Sequence, residues 1–260
     1  RINCWKEKTT PIPTMDWIVE KEDWITEENQ HRLCGGEVDS PILHDKKEDW
    51  RELQTVCEMI KDLGGIISWQ CGLHIHIDFE KLNLTKEQVW NLIMIWYRYE
   101  DILYGFAKGE VNKVRDGVVF HSQSIRPFLN KLYFSNNLNR IYKPVKTAHY
   151  FTRYYGLNLK EYQKGLIGKE MERPTIEFRI GNTTLSPNIV QNYVRLYSHI
   201  LTKVQSPNLK LKFDKVLRSS EVSSLYQENI DIDKACEFAD FIFDDNLDKF
   251  CFMKQYVKVK

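Results

Sequence analysis

The sequence has no long hydrophobic run, no strong net charge and no leader-like start. No apolar stretch approaches the roughly 20 residues that a membrane-spanning helix needs, so we expect no membrane association. The formal net charge is +1 over 260 residues, which argues against a protein whose main task is to bind nucleic acid. The chain opens on charged and polar residues rather than on a signal peptide, and we therefore expect a cytoplasmic protein.

Paired cysteine motifs are absent as well. The six cysteines form no C-x-x-C pair, and their spacing is irregular for a zinc site. In a chain of this length we expect reduced thiols rather than a disulfide framework. Aromatic residues, in contrast, are plentiful, with 7 Trp, 13 Tyr and 13 Phe. They are enough for a sizeable core and predict an ordinary globular protein.

Hydrophobic periodicity predicts helices and short strands in irregular alternation. Helices are predicted over 45–63, 85–106, 187–204, 231–243 and 247–256, and strands over 17–21, 36–40, 65–69, 73–79 and 174–180. Asp45, Thr85 and Ser186 stand where helix N-caps are expected. Since no regular strand–helix–strand repeat is present, we expect an α+β fold with a mostly antiparallel sheet and a C-terminal helical tail.

The domain organisation follows from one candidate linker. Residues 206–214 connect two helix-rich parts and carry no clear periodic pattern. We therefore predict a body over 1–205 and a helical appendage over 206–260.

One predicted strand carries an unusual set of polar groups. In the segment 72–79, apolar residues alternate with His74, His76 and Asp78. Because successive side chains of a strand point to opposite faces, these three share one face. Histidine pairs are often incidental, but two of them in register with an acid are unusual on a strand face. The pattern indicates metal binding or acid–base chemistry.

Two further strands show the same division into a polar and an apolar face. Glu177 and Arg179 share one face of the strand 174–180. In the strand 36–40, Glu37 and Asp39 share one face, opposite Val38. A carboxylate beside a guanidinium is often only a surface salt bridge. It can equally bind a metal and a phosphate side by side. Because three strands share the pattern, we predict a metal- and phosphate-binding site on the polar face of one sheet.

Four segments resemble the amidoligase family. They are EVDSP at 37–41, CGLHIHID at 71–78, RYYGLN at 153–158 and TIEFR at 175–179. Members of this family resemble glutamine synthetase and γ-glutamylcysteine synthetase. The resemblance implies a glutamine-synthetase-like catalytic sheet with helices packed on one face. It also implies an ATP-dependent carboxylate–amine ligase, in which a carboxylate is phosphorylated and an amine then displaces the phosphate.

The resemblance also implies roles for individual residues. Glu37, His76 and Glu177 would hold Mg²⁺ or Mn²⁺ beside ATP, although His74 and His76 cannot be told apart as the metal ligand. Arg179 would offset charge on the transferring phosphoryl group, and we expect it to be catalytic together with His74.

Three further arginines are expected at the cofactor. Arg153 would contact substrate or phosphate, and it also belongs to the expected catalytic group. Arg115 and Arg126 match a looser arginine-containing region of the family pattern. The alternative for both is a solvated surface arginine.

The family usually begins with a strand that carries Glu-x-Glu, and this sequence departs from that pattern. The sixteen residues before Trp17 contain a single glutamate, Glu7. Glu20 and Glu22 have the right spacing, but they follow Trp17. We expect the strand either upstream of Arg1 or absent, and its absence would leave a binding or structural role.

Two other functions stay open. A His-x-His strand also occurs in metal-dependent hydrolases, but the remaining histidines fit no such ligand pattern. A degenerate ligase fold would serve as a binding or structural module. The expected partners are small-molecule or peptide carboxylates and amines, with a homo-oligomer or an assembly partner at the C-terminal helices. No nucleic acid is expected.

Overall fold

The computed structural model describes residues 3–4, 16–21, 35–67, 71–108, 121–129, 153–166, 168–171, 174–211 and 231–257. The chain divides into two compact units, Arg1–Ile66 and Ile67–Lys260. The strands are β1 (Asn3–Cys4), β2 (Ile18–Lys21), β3 (Gly36–Asp39), β4 (Gly72–Asp78), β5 (Leu157–Asn158) and β6 (Thr175–Asn182). The helices are α1 (Lys47–Asp62), α2 (Lys86–Phe106), α3 (Lys160–Leu166), α4 (Pro187–Val204), α5 (Ile232–Ile242) and α6 (Asn246–Tyr256).

The first unit contains one three-stranded sheet and α1. The strand order is β1-β2-β3, with β1 parallel and β3 antiparallel to β2. The predicted N-cap Asp45 is wrong: Lys46 occupies the N-cap position, and the Asp45 carboxylate accepts a hydrogen bond from Trp50 Nε1 at 2.7 Å. The predicted glycine stop is confirmed, because Gly64 follows the helix with a φ of 77° that favours glycine.

The second unit contains a fully antiparallel sheet in the order β4-β6-β5, with β6 in the middle. The predicted α+β class, the antiparallel strand pairing and the C-terminal helical tail are therefore confirmed. The glutamine-synthetase-like arrangement stays a prediction. The strand predicted over 65–69 is not formed at 65–67, and residues 68–69 lie outside the described part of the chain.

The apolar face of β6 packs against two long helices. Ile176, Phe178 and Ile180 are buried. The ring of Phe178 stacks on Tyr197 of α4 at 4.1 Å and lies 5.7 Å from Trp96 of α2. Aromatic contacts of this kind add to the stabilisation from burial. Because the apolar side chains of β6 face these helices, its alternate side chains face the other way.

The two C-terminal helices belong to the core of the second unit. Phe238 of α5 and Phe252 of α6 are buried, and Phe252 stacks on Phe106 of α2 at 5.1 Å. Before these helices, the side chain of Asn91 binds the backbone of Leu209 and Leu211. The boundary predicted at residue 206 stays a prediction. None of the helices in the described ranges combines the length and apolarity needed to cross a membrane.

Helix α2 begins with the predicted capping box and is kinked near its middle. Thr85 and Gln88 exchange the two reciprocal hydrogen bonds of that motif. Tyr99 leaves helical geometry, with φ −112° and ψ 19°. The carbonyls of Tyr97 and Arg98 before it accept hydrogen bonds from the side chain of Arg126.

Candidate active site

Strand register brings three polar residues side by side in the second unit. On β6, Glu177 lies directly opposite His76 of β4 and directly opposite Asn158 of β5. Directly opposed residues in antiparallel strands have neighbouring side chains on one face. Since β6 is the middle strand, the Glu177 carboxylate stands between the other two.

The Glu177 carboxylate is buried and has a different partner on each oxygen. Its side chain is 9% exposed. Oε1 accepts a hydrogen bond from Arg179 Nη1, and Oε2 accepts one from Asn158 Nδ2 at 2.5 Å. A charge-assisted bond to a guanidinium is among the stronger hydrogen bonds in proteins. The orientation of this carboxylate is therefore fixed from both sides.

Both histidines of the predicted strand approach the same carboxylate oxygen. His74 Nδ1 lies 3.5 Å and His76 Nε2 lies 3.6 Å from Glu177 Oε1. The other ring nitrogen of His76 is 2.9 Å from Thr175 Oγ1. A hydroxyl can donate to this nitrogen or accept from it, so Thr175 can accompany either protonation state of His76.

A β-bulge places His74. The register shifts between Leu73 and Ile75, so that the single residue His74 faces two residues of β6, Arg179 and Ile180. Bulges bend the strand and change the direction of a side chain, and they are frequent next to active sites. Simple alternation predicted the face of His74 but not this irregularity.

Arg179 is held by the segment 121–129 as well as by Glu177. Its Nε donates to the carbonyl of His121 at 3.4 Å, and its own carbonyl accepts from Ser122 Oγ at 2.8 Å. Tyr104 of α2 donates to the carbonyl of Ser122. The guanidinium is thus oriented before any ligand binds, which favours binding of a phosphate or carboxylate.

Arg153 lies on the surface just before β5. Its guanidinium carbon is 5.3 Å from the centre of the Tyr154 ring, and Nη2 donates to the Tyr154 hydroxyl at 3.3 Å. This hydrogen bond from Arg153 lowers the pKa of the Tyr154 phenol from its usual value. The described contacts of Arg153 are with this neighbour and not with the Glu177 carboxylate.

The structure places Arg126 inside the protein. It is 2% exposed, and its guanidinium donates to the carbonyls of Tyr97 at 2.8 Å and Arg98 at 3.0 Å, beside the kink in α2. A third bond reaches Asp101 Oδ1 at 2.9 Å, and Glu100 Oε2 lies 3.8 Å from Nε. These contacts hold the segment 121–129 on α2. They rule out the alternative of a solvated surface arginine, and the predicted cofactor contact of Arg126 stays a prediction.

The two acids beside Arg126 differ in their proton affinity. Burial raises the pKa of Glu100, although it accepts hydrogen bonds from Ser124, Ile125 and Trp96. Burial would also raise the pKa of Asp101, but Arg126 and Lys234 together hold it below its usual value. Lys234 Nζ of α5 lies 2.6 Å from Asp101 Oδ2.

Two other predicted site residues, Glu37 and Arg115, lie outside the described part of the second unit. Glu37 lies on β3 in the sheet of the first unit, where the register puts it opposite Glu20. The described strands therefore form two sheets rather than the single sheet expected, and the role of Glu37 stays a prediction. Arg115 lies outside the described residues.

The donors around Glu177 do not form a ready metal shell. Among the described residues, no group of three or more His, Cys, Asp or Glu side chains is arranged to hold a metal ion. Glu177 supplies the carboxylate, but both of its oxygens already accept hydrogen bonds. Magnesium prefers oxygen ligands, whereas His74 and His76 offer nitrogen. The described residues thus do not fit a dedicated protein cage for Mg²⁺.

Sequence reasoning missed two residues of the cluster. Asn158 ends the segment RYYGLN, but only the register of β5 on β6 shows that it binds Glu177. Thr175 begins the segment TIEFR, but only its pairing with Asp78 on β4 shows that it lies next to His76. Cross-strand neighbours depend on register, which the polar and apolar pattern of one strand does not define.

Comparison with known proteins places the chain in a family. The sequence matches the family model described as "Putative amidoligase enzyme" over residues 6–201. That span includes β4, β5 and β6 and ends before α5. Neither a curated protein nor a solved structure matches the chain. Because the family model covers well over half of the sequence, this chain belongs to the amidoligase family, which suggests an enzyme with ligase-type activity.

Proposed function

We propose that this protein is an ATP-dependent ligase that joins a carboxylate to an amine through an acyl phosphate. The observation that carries the proposal is the buried Glu177 carboxylate, held between Arg179 and Asn158 with two imidazoles at 3.5 and 3.6 Å. Membership of the amidoligase family supports the ligase class. The substrates are small-molecule or peptide carboxylates and amines.

In the first step, an oxygen of the substrate carboxylate attacks the γ-phosphorus of ATP and ADP leaves. Phosphoryl transfer needs positioning and charge neutralisation more than covalent help from the protein. Arg179 supplies a fixed positive charge, because Glu177 and the carbonyl of His121 hold its guanidinium. Arg153 is proposed as a second contact for phosphate or substrate.

In the second step, the amine nitrogen attacks the acyl carbon and inorganic phosphate leaves. The nitrogen must lose a proton as the amide forms. His74 is the proposed proton acceptor, since an imidazole suits proton transfer near neutral pH. The Glu177 carboxylate at 3.5 Å would stabilise the resulting imidazolium.

A divalent cation, Mg²⁺ or Mn²⁺, is proposed to accompany ATP and to neutralise phosphate charge when bound. Magnesium at nucleotide sites keeps several waters and phosphate oxygens and takes only one or two protein carboxylates. Glu177 is the proposed carboxylate, with His76 at 3.6 Å from it, and the metal-binding role of Glu37 stays a prediction. No step above depends on this ion.

The test is formation of ADP and phosphate from ATP with Mg²⁺ and a panel of amino acids, polyamines and peptides. Glu177→Gln and Arg179→Met are expected to lower turnover by about 100-fold or more, since each removes a charged group from the reacting centre. Asp240→Asn and Lys249→Met make matched changes in an ion pair of 2.8 Å between α5 and α6 and are expected to leave turnover unchanged. Unchanged turnover in Glu177→Gln and Arg179→Met would refute the proposal.

A non-catalytic binding module is the second candidate. The occupied oxygens of Glu177 favour it, and so do Leu247 and Phe250, which are 63% and 62% exposed on α6 and could meet an assembly partner. Calorimetry with a non-hydrolysable ATP analogue and Mg²⁺ separates the two. Nucleotide binding that Arg179→Met weakens supports the ligase, and absence of binding supports the module.

A further inference from the structure

Asn158 makes two hydrogen bonds with opposite ends of its amide group. Nδ2 donates to Glu177 Oε2 at 2.5 Å, and Oδ1 accepts from the backbone N–H of Lys160 at 3.0 Å. The second bond decides which end of the amide faces the carboxylate. A backbone N–H can only donate, so the amide oxygen must point to Lys160 and the amide nitrogen to Glu177.

A glutamate cannot fix its own carboxylate group. The torsion that rotates the carboxylate has a broad and nearly two-fold profile, so that packing of the stem leaves the oxygens free to turn. Arg179 binds Oε1, and Asn158 binds Oε2. With one partner on each oxygen, Oε1 is directed toward His74 and His76.

We propose that Asn158 is a positioning residue of the active site, which holds the Glu177 carboxylate in the orientation used for catalysis. The contribution of Asn158 to catalysis rests on the ligase function proposed above. The neutral amide suits this role because it donates a hydrogen bond without adding charge. A lysine or arginine here would add a positive charge, and an aspartate would place a second carboxylate at hydrogen-bond distance from the first.

The two bonds of Asn158 can be separated by substitution. Asn158→Ser keeps an oxygen for the Lys160 N–H, and therefore keeps the turn that starts α3. It adds no charge but loses the donor to Glu177. Asn158→Ala loses both bonds. Asn192→Ser is the matched control, because the Asn192 amide donates to Gln255 at 3.0 Å between α4 and α6.

Two measurements on the full chain test the proposal. In ¹⁵N-histidine NMR spectra, the ring signals of His74 and His76 are expected to move in both Asn158 variants and to stay in place in Asn192→Ser. In the ADP assay, both Asn158 variants are expected to lose roughly 10- to 100-fold in kcat, the effect of one hydrogen bond to a charged group. The KM for ATP is expected to change little, since neither bond of Asn158 is to the nucleotide.

The outcomes divide clearly. If Asn158 served only the turn, Asn158→Ser would match an active wild type in turnover and would match it in the histidine signals, and either result overturns the proposal. Unmoved histidine signals in both Asn158 variants also overturn it, whatever the turnover. If the wild-type protein forms no ADP with any substrate while the histidine signals do move, the proposed function fails and the positioning of Glu177 is supported.

Discussion

Replacement of Arg126 by methionine is expected to lower the free energy of unfolding by about 3–5 kcal/mol, the range for removal of one partner from a buried ion pair. Arg126 is 2% exposed and donates three hydrogen bonds, to the carbonyls of Tyr97 and Arg98 and to Asp101. Methionine fills much of the same space, so that lost packing contributes little. The expected loss arises because two carbonyls and two carboxylates lose their cation.

Equilibrium unfolding in urea measures this loss as a lower midpoint with an unchanged slope. Glu100→Gln provides the second arm of a double-mutant cycle. Because Glu100 Oε2 lies 3.8 Å from Arg126 Nε, the two substitutions are expected to couple by about 1 kcal/mol or more. If Arg126→Met lowers the free energy of unfolding by less than about 1 kcal/mol, the stabilising role of this buried network is refuted.

The same variant has a predictable pH dependence. Burial raises the pKa of Glu100, so this group contributes stability below its unfolded pKa that is lost as the pH rises through its folded pKa. Without Arg126 the pKa of Glu100 in the folded protein rises further, and more stability is lost at neutral pH. Asp101, with its lowered pKa, contributes stability above its unfolded pKa that is lost as the pH falls. Since Arg126 supports that contribution too, Arg126→Met should cost more at about pH 7 than at about pH 4.

Two further predictions concern packing in the second unit. Burial raises the pKa of Tyr256 to about 12, so its stabilising contribution is present below about pH 10 and is lost as the pH rises from there through the folded pKa of about 12. Tyr256→Phe should flatten the fall of the thermal midpoint above about pH 10, and an unchanged profile would contradict this. Gly156→Ala should lower the free energy of unfolding by about 1–3 kcal/mol. The reason is that a Cβ at this position would lie 2.5 Å from Ile180 Cγ2 and 2.8 Å from the Tyr104 hydroxyl. A urea midpoint equal to that of the wild type would contradict this prediction.

The sequence was informative where one element decides the structure by itself. The capping box of Thr85 and Gln88 and the glycine stop at Gly64 depend on a few neighbouring residues, and both are confirmed. The alternation around His76 and Glu177 correctly predicted two strands and their polar side chains. Within single strands, apolar burial on helices dictates which side chains face the core.

The sequence was less informative where distant residues decide. Arg126 resembles a surface or cofactor-binding arginine until Glu100 and Asp101 are seen beside it, and these lie about 25 residues earlier in the chain. The bond between Asn158 and Glu177 depends on the register of β5. The bulge opposite His74, where Arg179 and Ile180 of β6 face one residue, shifts the separate register of β4 on β6. Register and tertiary contacts arise from the whole fold and leave little trace in local pattern.

The most direct test of the proposed chemistry follows an oxygen atom. A substrate carboxylate labelled with ¹⁸O is incubated with the protein, ATP, Mg²⁺ and the amine, and the inorganic phosphate is analysed by mass spectrometry. An acyl phosphate transfers one carboxylate oxygen to phosphate, so the account predicts phosphate with one ¹⁸O atom for each amide formed. Amide formation with unlabelled phosphate, or with AMP and pyrophosphate as products, would contradict it.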